Sequence, residues 1–293
     1  MSLSSFEIGN LFSVKGKVSI GRAITTALAV NGAKVLIIGR RLATLETTSK
    51  EISEQASKNE GQVIAIEGDI SSKKGIEEVY EKIKSLTDKV DYLVNNAGFA
   101  AVYKVRANID DPVELVKKLW SIEESDFNDM TKYFMTAPWL LSVKLIPLFK
   151  KSSDPAISNI TSIGGQTIDR SFTHPAYAGA KAAGMSKIHL TQRLAANFIP
   201  FKIRVNSITP GLFKSQLTTG SSEVNAPLAP VIQQLIKAVP SGREGRWEEI
   251  GGVALLLATP AGAYLNGTDI VIDGGAKLVS KRHVMGQRMP YSF

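Results

Sequence analysis

The chain has 293 residues, 44% of them hydrophobic and 21% charged, which is apolar enough for a large buried core and excludes general disorder. It has no cysteine, which excludes disulfides, thiolate nucleophiles and cysteine-containing zinc sites, and His174, His189 and His283 are too scattered to suggest a metal-ligand cluster. The net charge of +8 sits mostly in two places: residues 15–50 carry +6 and residues 277–293 carry +4. A nucleic-acid binder would carry a basic stripe with interleaved aromatics, which is not the pattern here. The early cluster is either ordinary solvated surface or the approach to an anionic cofactor, and the late one reads as a basic tail.

In chain order, the opening residues Met1–Glu7 have no basic-then-apolar pattern of a secretory signal. The longest apolar stretch, Val253–Ala258, is far short of the ~20 residues a membrane helix needs, so the expectation is a cytoplasmic protein with no membrane contact. Short β-branched runs then alternate with helical spacing. Ala33–Gly39, Gln62–Glu67, Val90–Asn95, Ala156–Thr161, Ile203–Ile208 and Thr268–Ile272 read as strands. Helical spacing is found over 42–57, 73–86, 125–151, 175–198 and 247–258. Near-continuous apolar strands between helices predict α/β architecture: a doubly wound parallel sheet, Rossmann-like, in a single domain. Residues 99–124 and 211–246 read as long irregular stretches, the second an amphipathic lid or helical core. Trp120, Trp139 and Trp247 read as packing residues, and His174 as a satisfied loop histidine.

Tyr177-Ala-Gly-Ala-Lys181 puts a phenol and an ammonium on one helix face. A free tyrosine titrates near pH 10, and a neighbouring cation draws it toward neutrality, where it can exchange protons. Ser162 follows a strand at its carboxyl end, where a parallel sheet presents its ligand. Arg40 closes the second strand, a position where an acid meets the ribose hydroxyls of NAD and a base accommodates the 2′-phosphate of NADP. Gly39-Arg40-Arg41 therefore favours NADP(H), against a solvated helix-start residue.

Several motifs occur together and in order: Asp69-Ile70, Asn95-Asn96-Ala97-Gly98, Thr161-Ser162, Tyr177–Lys181, Arg204–Gly211, Gly242–Gly245 and Asp273-Gly274-Gly275. Over roughly residues 12–276 the chain resembles the short-chain dehydrogenase/reductase superfamily, its 3-oxoacyl-acyl-carrier-protein reductase branch most of all. Residues 1–11 would then be an extension and 277–293 a tail. The resemblance implies an NADP(H)-dependent oxidoreductase moving a hydride between nicotinamide and a carbonyl or secondary alcohol. It implies an apolar small-molecule substrate, of 3-oxoacyl type, and a homo-oligomer without nucleic acid. Ser162, Tyr177 and Lys181 would be catalytic. Gly21, Arg40, Asp69, Asn95, Gly98, Pro210 and Gly211, with Tyr177 and Lys181, would line the cofactor groove.

Two departures stand out. The family's Gly-rich phosphate loop is missing: Lys17-Val18-Ser19-Ile20-Gly21 runs straight through, about eight residues short, with one glycine left. The first strand should be truncated, and a substitute strand would drive Lys15 and Lys17 toward apolar contacts. Phe134 also stands where the family carries a catalytic asparagine, so the family's water relay is not expected here. The alternative is therefore an impaired member, or the product of an incomplete gene, that keeps the fold and binds cofactor poorly.

Overall fold

β-Branched segments become strands where helices can cover both faces of a sheet, and seven do so here. In the computed structural model, which describes residues 7–20, 24–99, 101, 103–105, 107–167, 173–185, 190–219 and 227–279, they are β1 (Val18–Ile20), β2 (Lys34–Gly39), β3 (Gln62–Glu67), β4 (Tyr92–Asn95), β5 (Ala156–Ile160), β6 (Arg204–Pro210) and β7 (Asp269–Ile272). All pair in parallel, in the order β3-β2-β1-β4-β5-β6-β7. The order reverses direction between β1 and β4, which is where a doubly wound sheet opens a crevice for ligand.

The helices are α1 (Ile8–Leu11), α2 (Thr25–Val30), α3 (Leu42–Ala56), α4 (Lys73–Leu86), α5 (Pro112–Trp120), α6 (Glu124–Thr131), α7 (Ala137–Lys144), α8 (Ile146–Phe149), α9 (Pro175–Met185), α10 (Leu190–Phe198), α11 (Gln216–Thr219), α12 (Pro230–Lys237) and α13 (Trp247–Ala258). Alternate strand residues feed opposite layers. Leu36, Leu93, Ile157 and Val205 face one core with Ile83, Phe149 and Leu194. Val35, Ile37, Tyr92, Val94 and Ile208 face the other with Leu28, Ile250 and Leu257.

The missing Gly-rich loop does not take the first strand out of the sheet. β1, described over Val18–Ile20, pairs on both sides, Ser19 opposite Val35 and Tyr92. Polar ties anchor it. The buried Asp91 carboxylate accepts from the Val18 N–H at 2.8 Å and the Ser152 hydroxyl at 2.6 Å, and meets Lys89 Nζ at 3.1 Å. Neither lysine ends in apolar surroundings as the sequence suggested. Lys17 donates to the Ala258 carbonyl at 2.6 Å and lies 3.6 Å from Asp154, while Lys15 pairs with Glu60 at 3.2 Å in solvent. Burial lowers the Lys17 pKa, opposed by the charges of Asp154 and Asp91.

Other expectations need revision. The stretch 99–124 contains α5, whose apolar Val113, Val116 and Trp120 are exposed while Lys118 is buried against the Tyr103 ring, an inversion of the usual pattern that hides it from a periodicity reading. Trp120 is 89% exposed, so it packs nothing; Trp139 does pack on the core, and Trp247 is half exposed. The stretch 211–246 contains α11 and α12, the latter burying Ile232 and Ile236. The helix expected over 125–151 is three pieces, α6 to α8. A π turn at Lys132–Thr136 joins the first two, and Pro147 opens the third.

Candidate active site

Thr161 and Ser162 follow β5 at its carboxyl end. Ser162 caps a short 3₁₀ turn, Ile163–Gly165, its Oγ accepting from the Gly164 N–H at 3.1 Å. That turn lies against α9, where Tyr177 and Lys181 are one helical turn apart. The Ser162 hydroxyl hydrogen-bonds the Tyr177 phenol. Burial raises the Tyr177 pKa and the Ser162 bond pulls it the other way, for a net rise.

Lys181 is buried and donates to the Ile160 carbonyl at 2.9 Å. Its ammonium lies 5.8 Å from the Tyr177 ring centroid and 3.9 Å from that of Phe134. Burial depresses its pKa to about 7, because a charged amine loses hydration there. Phe134, carried by the π turn, stands edge-on to Tyr177 with centroids 5.7 Å apart. Gly98 leaves room for that ring: a Cβ on it would lie 2.2 Å from Phe134 Cε1.

A polar chain runs beneath. Asn95 Nδ2 donates to Asn159 Oδ1 at 2.9 Å, and Asn159 Nδ2 donates to the Thr191 hydroxyl at 2.9 Å. At the end of β6, the Gly211 N–H donates to the Ile272 carbonyl at 2.9 Å. A Cβ on Gly211 would come within 2.8 Å of Asp273 Cα, so only glycine lets these two segments meet.

A cleft of about 860 Å³ opens across the carboxyl ends of the central strands. Asn95–Gly98 and Ile70 line it on one side, and Arg41, Lys214 and Ser215 add polar groups elsewhere on its wall. At its margin, exposed Arg40 lies over the Tyr133 ring, 5.8 Å from its centroid. Arg40 also acts electrostatically on Asp69. The Asp69 carboxylate accepts from the Ser71 N–H and hydroxyl, both at 2.9 Å. Its slight burial raises its pKa, but the two Ser71 bonds and the Arg40 charge outweigh that for a net lowering.

The residues present fit a dinucleotide along most of this groove. The cleft is large enough for a cofactor, and the cationic side chains Arg41 and Lys214 lie along it. The exception is the pyrophosphate cradle. Gly21 lies outside the described residues, and α2 begins at Thr25, after the N-cap Ile24, with no side-chain cap on its first turn.

The family model described as Enoyl-(Acyl carrier protein) reductase matches residues 14–277. The chain is 35% identical over 284 residues to the short-chain dehydrogenase/reductase PhomF of Diaporthe leptostromiformis, covering 91% of this chain and 93% of that protein. It belongs to the short-chain dehydrogenase/reductase family. It is also 30% identical over 280 residues to the rhamnolipids biosynthesis 3-oxoacyl-acyl-carrier-protein reductase of Pseudomonas aeruginosa, covering 91% of this chain and 98% of that protein. Among solved structures, the Pseudomonas aeruginosa RhlG/NADP active-site complex superposes with a TM-score of 0.72 at 26% identity, covering 91% of this chain and 98% of that one.

As a short-chain dehydrogenase/reductase, the chain is an oxidoreductase. The structure brings Ser162, Tyr177 and Lys181 into one cluster, with Asn95 and Gly98 beside it. Arg40 and Asp69 interact electrostatically, each next in sequence to a residue that lines the cleft, Arg41 and Ile70. Pro210 and Gly211 close β6 nearby. The sequence reading placed the segment from Pro210 up to Ser215 at the cofactor, and Lys214 and Ser215 of that segment line the cleft; it missed Arg41 as a cleft residue, although Arg41 adjoins Arg40. His174 was also misread. It is buried beside Tyr103, rings 4.8 Å apart, and its Nδ1 has no hydrogen-bond partner among the described residues. No helix among the described residues is long and apolar enough to cross a membrane, and none of their His, Asp or Glu side chains form a metal-binding group.

Proposed function

We propose that this oxidoreductase is NADP(H)-dependent and interconverts a carbonyl and a secondary alcohol on an apolar substrate of 3-oxoacyl type. The observation that carries this reading is the adjacency of Ser162, Tyr177 and Lys181 at the carboxyl end of β5. The kinship with a 3-oxoacyl reductase supports the substrate class, and Arg40 supports the phosphorylated cofactor.

Asn95, Gly98, Pro210 and Gly211 would hold the nicotinamide end, with Asp69 at the adenine and Arg40 at the 2′-phosphate. The bound nicotinamide supplies or accepts the hydride. Ser162 orients the substrate oxygen by hydrogen bonding. Tyr177 delivers its phenolic proton to that oxygen in reduction and removes it in oxidation. The raised pKa of Tyr177 keeps the phenol protonated, which suits an acid poised for reduction. Lys181 in its ammonium form offsets the cost of the phenolate left behind.

Titration of the purified chain with NADPH, followed by nicotinamide fluorescence, tests the cofactor. Oxidation of NADPH by a 3-oxoacyl thioester tests the reaction. Saturable binding with turnover supports the reading. A second reading, a member that keeps the fold and binds cofactor poorly, is favoured by the missing Gly-rich loop and the uncapped α2. Absence of binding at millimolar NADPH would select it. The expected homo-oligomer belongs to the first reading and is checked by light scattering.

A further inference from the structure

We propose that Phe134 is a positioning residue that clamps the Lys181 ammonium against the Ile160 carbonyl with the face of its ring. A buried ammonium has three donors to satisfy and is costly to leave unpaired. Among the described residues Lys181 has one hydrogen bond, to Ile160 O at 2.9 Å, and no carboxylate partner. The charge instead sits 3.9 Å from the Phe134 ring centroid, well inside the ~6 Å range of a cation–π contact. Such a contact strengthens when water is excluded, and Lys181 is 7% exposed.

Three features hold the ring there. The π turn Lys132–Thr136 sets its place on the helix. Gly98 gives it space that any Cβ would take, at 2.2 Å from Cε1. The edge-on contact with Tyr177, at 88°, ties it to the second member of the acid–base pair. One phenyl ring thereby touches both groups. The titratable side chains facing Lys181 are Tyr177 on its own helix and Tyr133 from the π turn, both phenols. A cavity of about 20 Å³ bounded by Phe134, Lys181, Asn95, Asn159 and Thr161 has room for roughly one water beside the clamp.

Only the catalytic consequence rests on the proposed function; the clamp itself is a property of the cofactor-free chain. The test follows the Lys181 ammonium by NMR of ¹⁵N-lysine-labelled protein, with Lys181→Met assigning the signal. Phe134→Leu keeps apolar bulk but removes the ring quadrupole, and should move the Lys181 titration midpoint down by about one pH unit. Phe134→Tyr keeps the ring and should leave the midpoint within about 0.3 of a unit. In an active enzyme the alkaline limb of the rate profile should follow the same pattern. Unchanged titration in Phe134→Leu would overturn the clamp. Should that variant fail to fold, Gly98→Ala displaces the ring without altering it: a lowered midpoint upholds the proposal and an unmoved one overturns it. A wild-type chain without turnover would sink the proposed function alone, because the titration needs neither cofactor nor substrate.

Discussion

The two banks of the candidate site, β5 with α9 and β1 with α2, are built to different standards. On the β5–α9 bank, each functional group is held by at least one neighbour: Ser162 by the Gly164 N–H and Tyr177, Tyr177 by the Phe134 edge, Lys181 by a carbonyl and a ring face. On the β1–α2 bank, the six-residue α2 lacks a side-chain cap on its first turn. One bank would be pre-organised for the proposed proton transfer. The other is thinned in sequence, lacking the Gly-rich loop on which a dinucleotide's phosphates would rest. Acid–base chemistry needs a few groups placed closely, and these lie in one stretch of chain and its immediate neighbours. A phosphate cradle needs a whole loop of backbone, so a deletion can remove it without disturbing the acid–base bank.

The largest effect should come from breaking the pre-organised bank. Tyr177→Phe should lower turnover by at least about 10³-fold while leaving the Kd for NADPH within about twofold, read by steady-state kinetics and fluorescence titration. Loss of both together would mean that the two banks are not separable. Next, Lys181→Met should expose the cost of that bank. The folded pKa of about 7 lies below the unfolded value near 10.5, so between them the unfolded chain holds more protons and stability rises with pH. The penalty is full below about pH 7 and gone above about pH 10.5. In urea unfolding at pH 6 the variant should therefore be more stable than wild type by up to about 3 kcal/mol, and the gap should close by pH 10. Parallel pH slopes for the two proteins would refute the desolvation.

The thinned bank has its own test. Asp91→Asn removes the charge from the group that fixes Val18 and Ser152, and should cost about 2 kcal/mol in the same assay. A change under about 0.5 kcal/mol would mean that β1 is held by its ladder alone. The smallest effect concerns cofactor choice. Arg40→Glu should weaken NADPH about tenfold and leave NADH within about threefold, since the arginine is exposed and its contribution screened. Equal losses for both would place Arg40 outside the 2′-phosphate site.

Much of this was legible in the sequence, and the reasons for the exceptions are physical. The six strands stand out because parallel strands covered on both faces need continuous β-branched runs, as in Val35-Leu36-Ile37-Ile38. Ser162, Tyr177 and Lys181 stand out because helix period and strand end fix their relation locally. The fate of Lys17 was not legible, since its partners Ala258 and Asp154 are remote in sequence. α5 was hidden because it exposes its apolar residues and buries a lysine. Phe134 could be read as a lost polar group, but its new contact depends on a π turn and on space left by Gly98, and neither leaves a periodic trace.

The place of the first strand in the sheet also has a mechanical consequence. Among the described residues β1 stands between β2 and β4, so it is where the β2–β3 side of the sheet meets the β4–β7 side. The cleft lies over that meeting line, with Ile38 and Arg41 on one side and Leu93, Val94 and Asn95 on the other. A ligand spanning from Arg41 to Asn95 would act as a brace between the two sides. Its binding free energy would be felt as resistance of the sheet to shear.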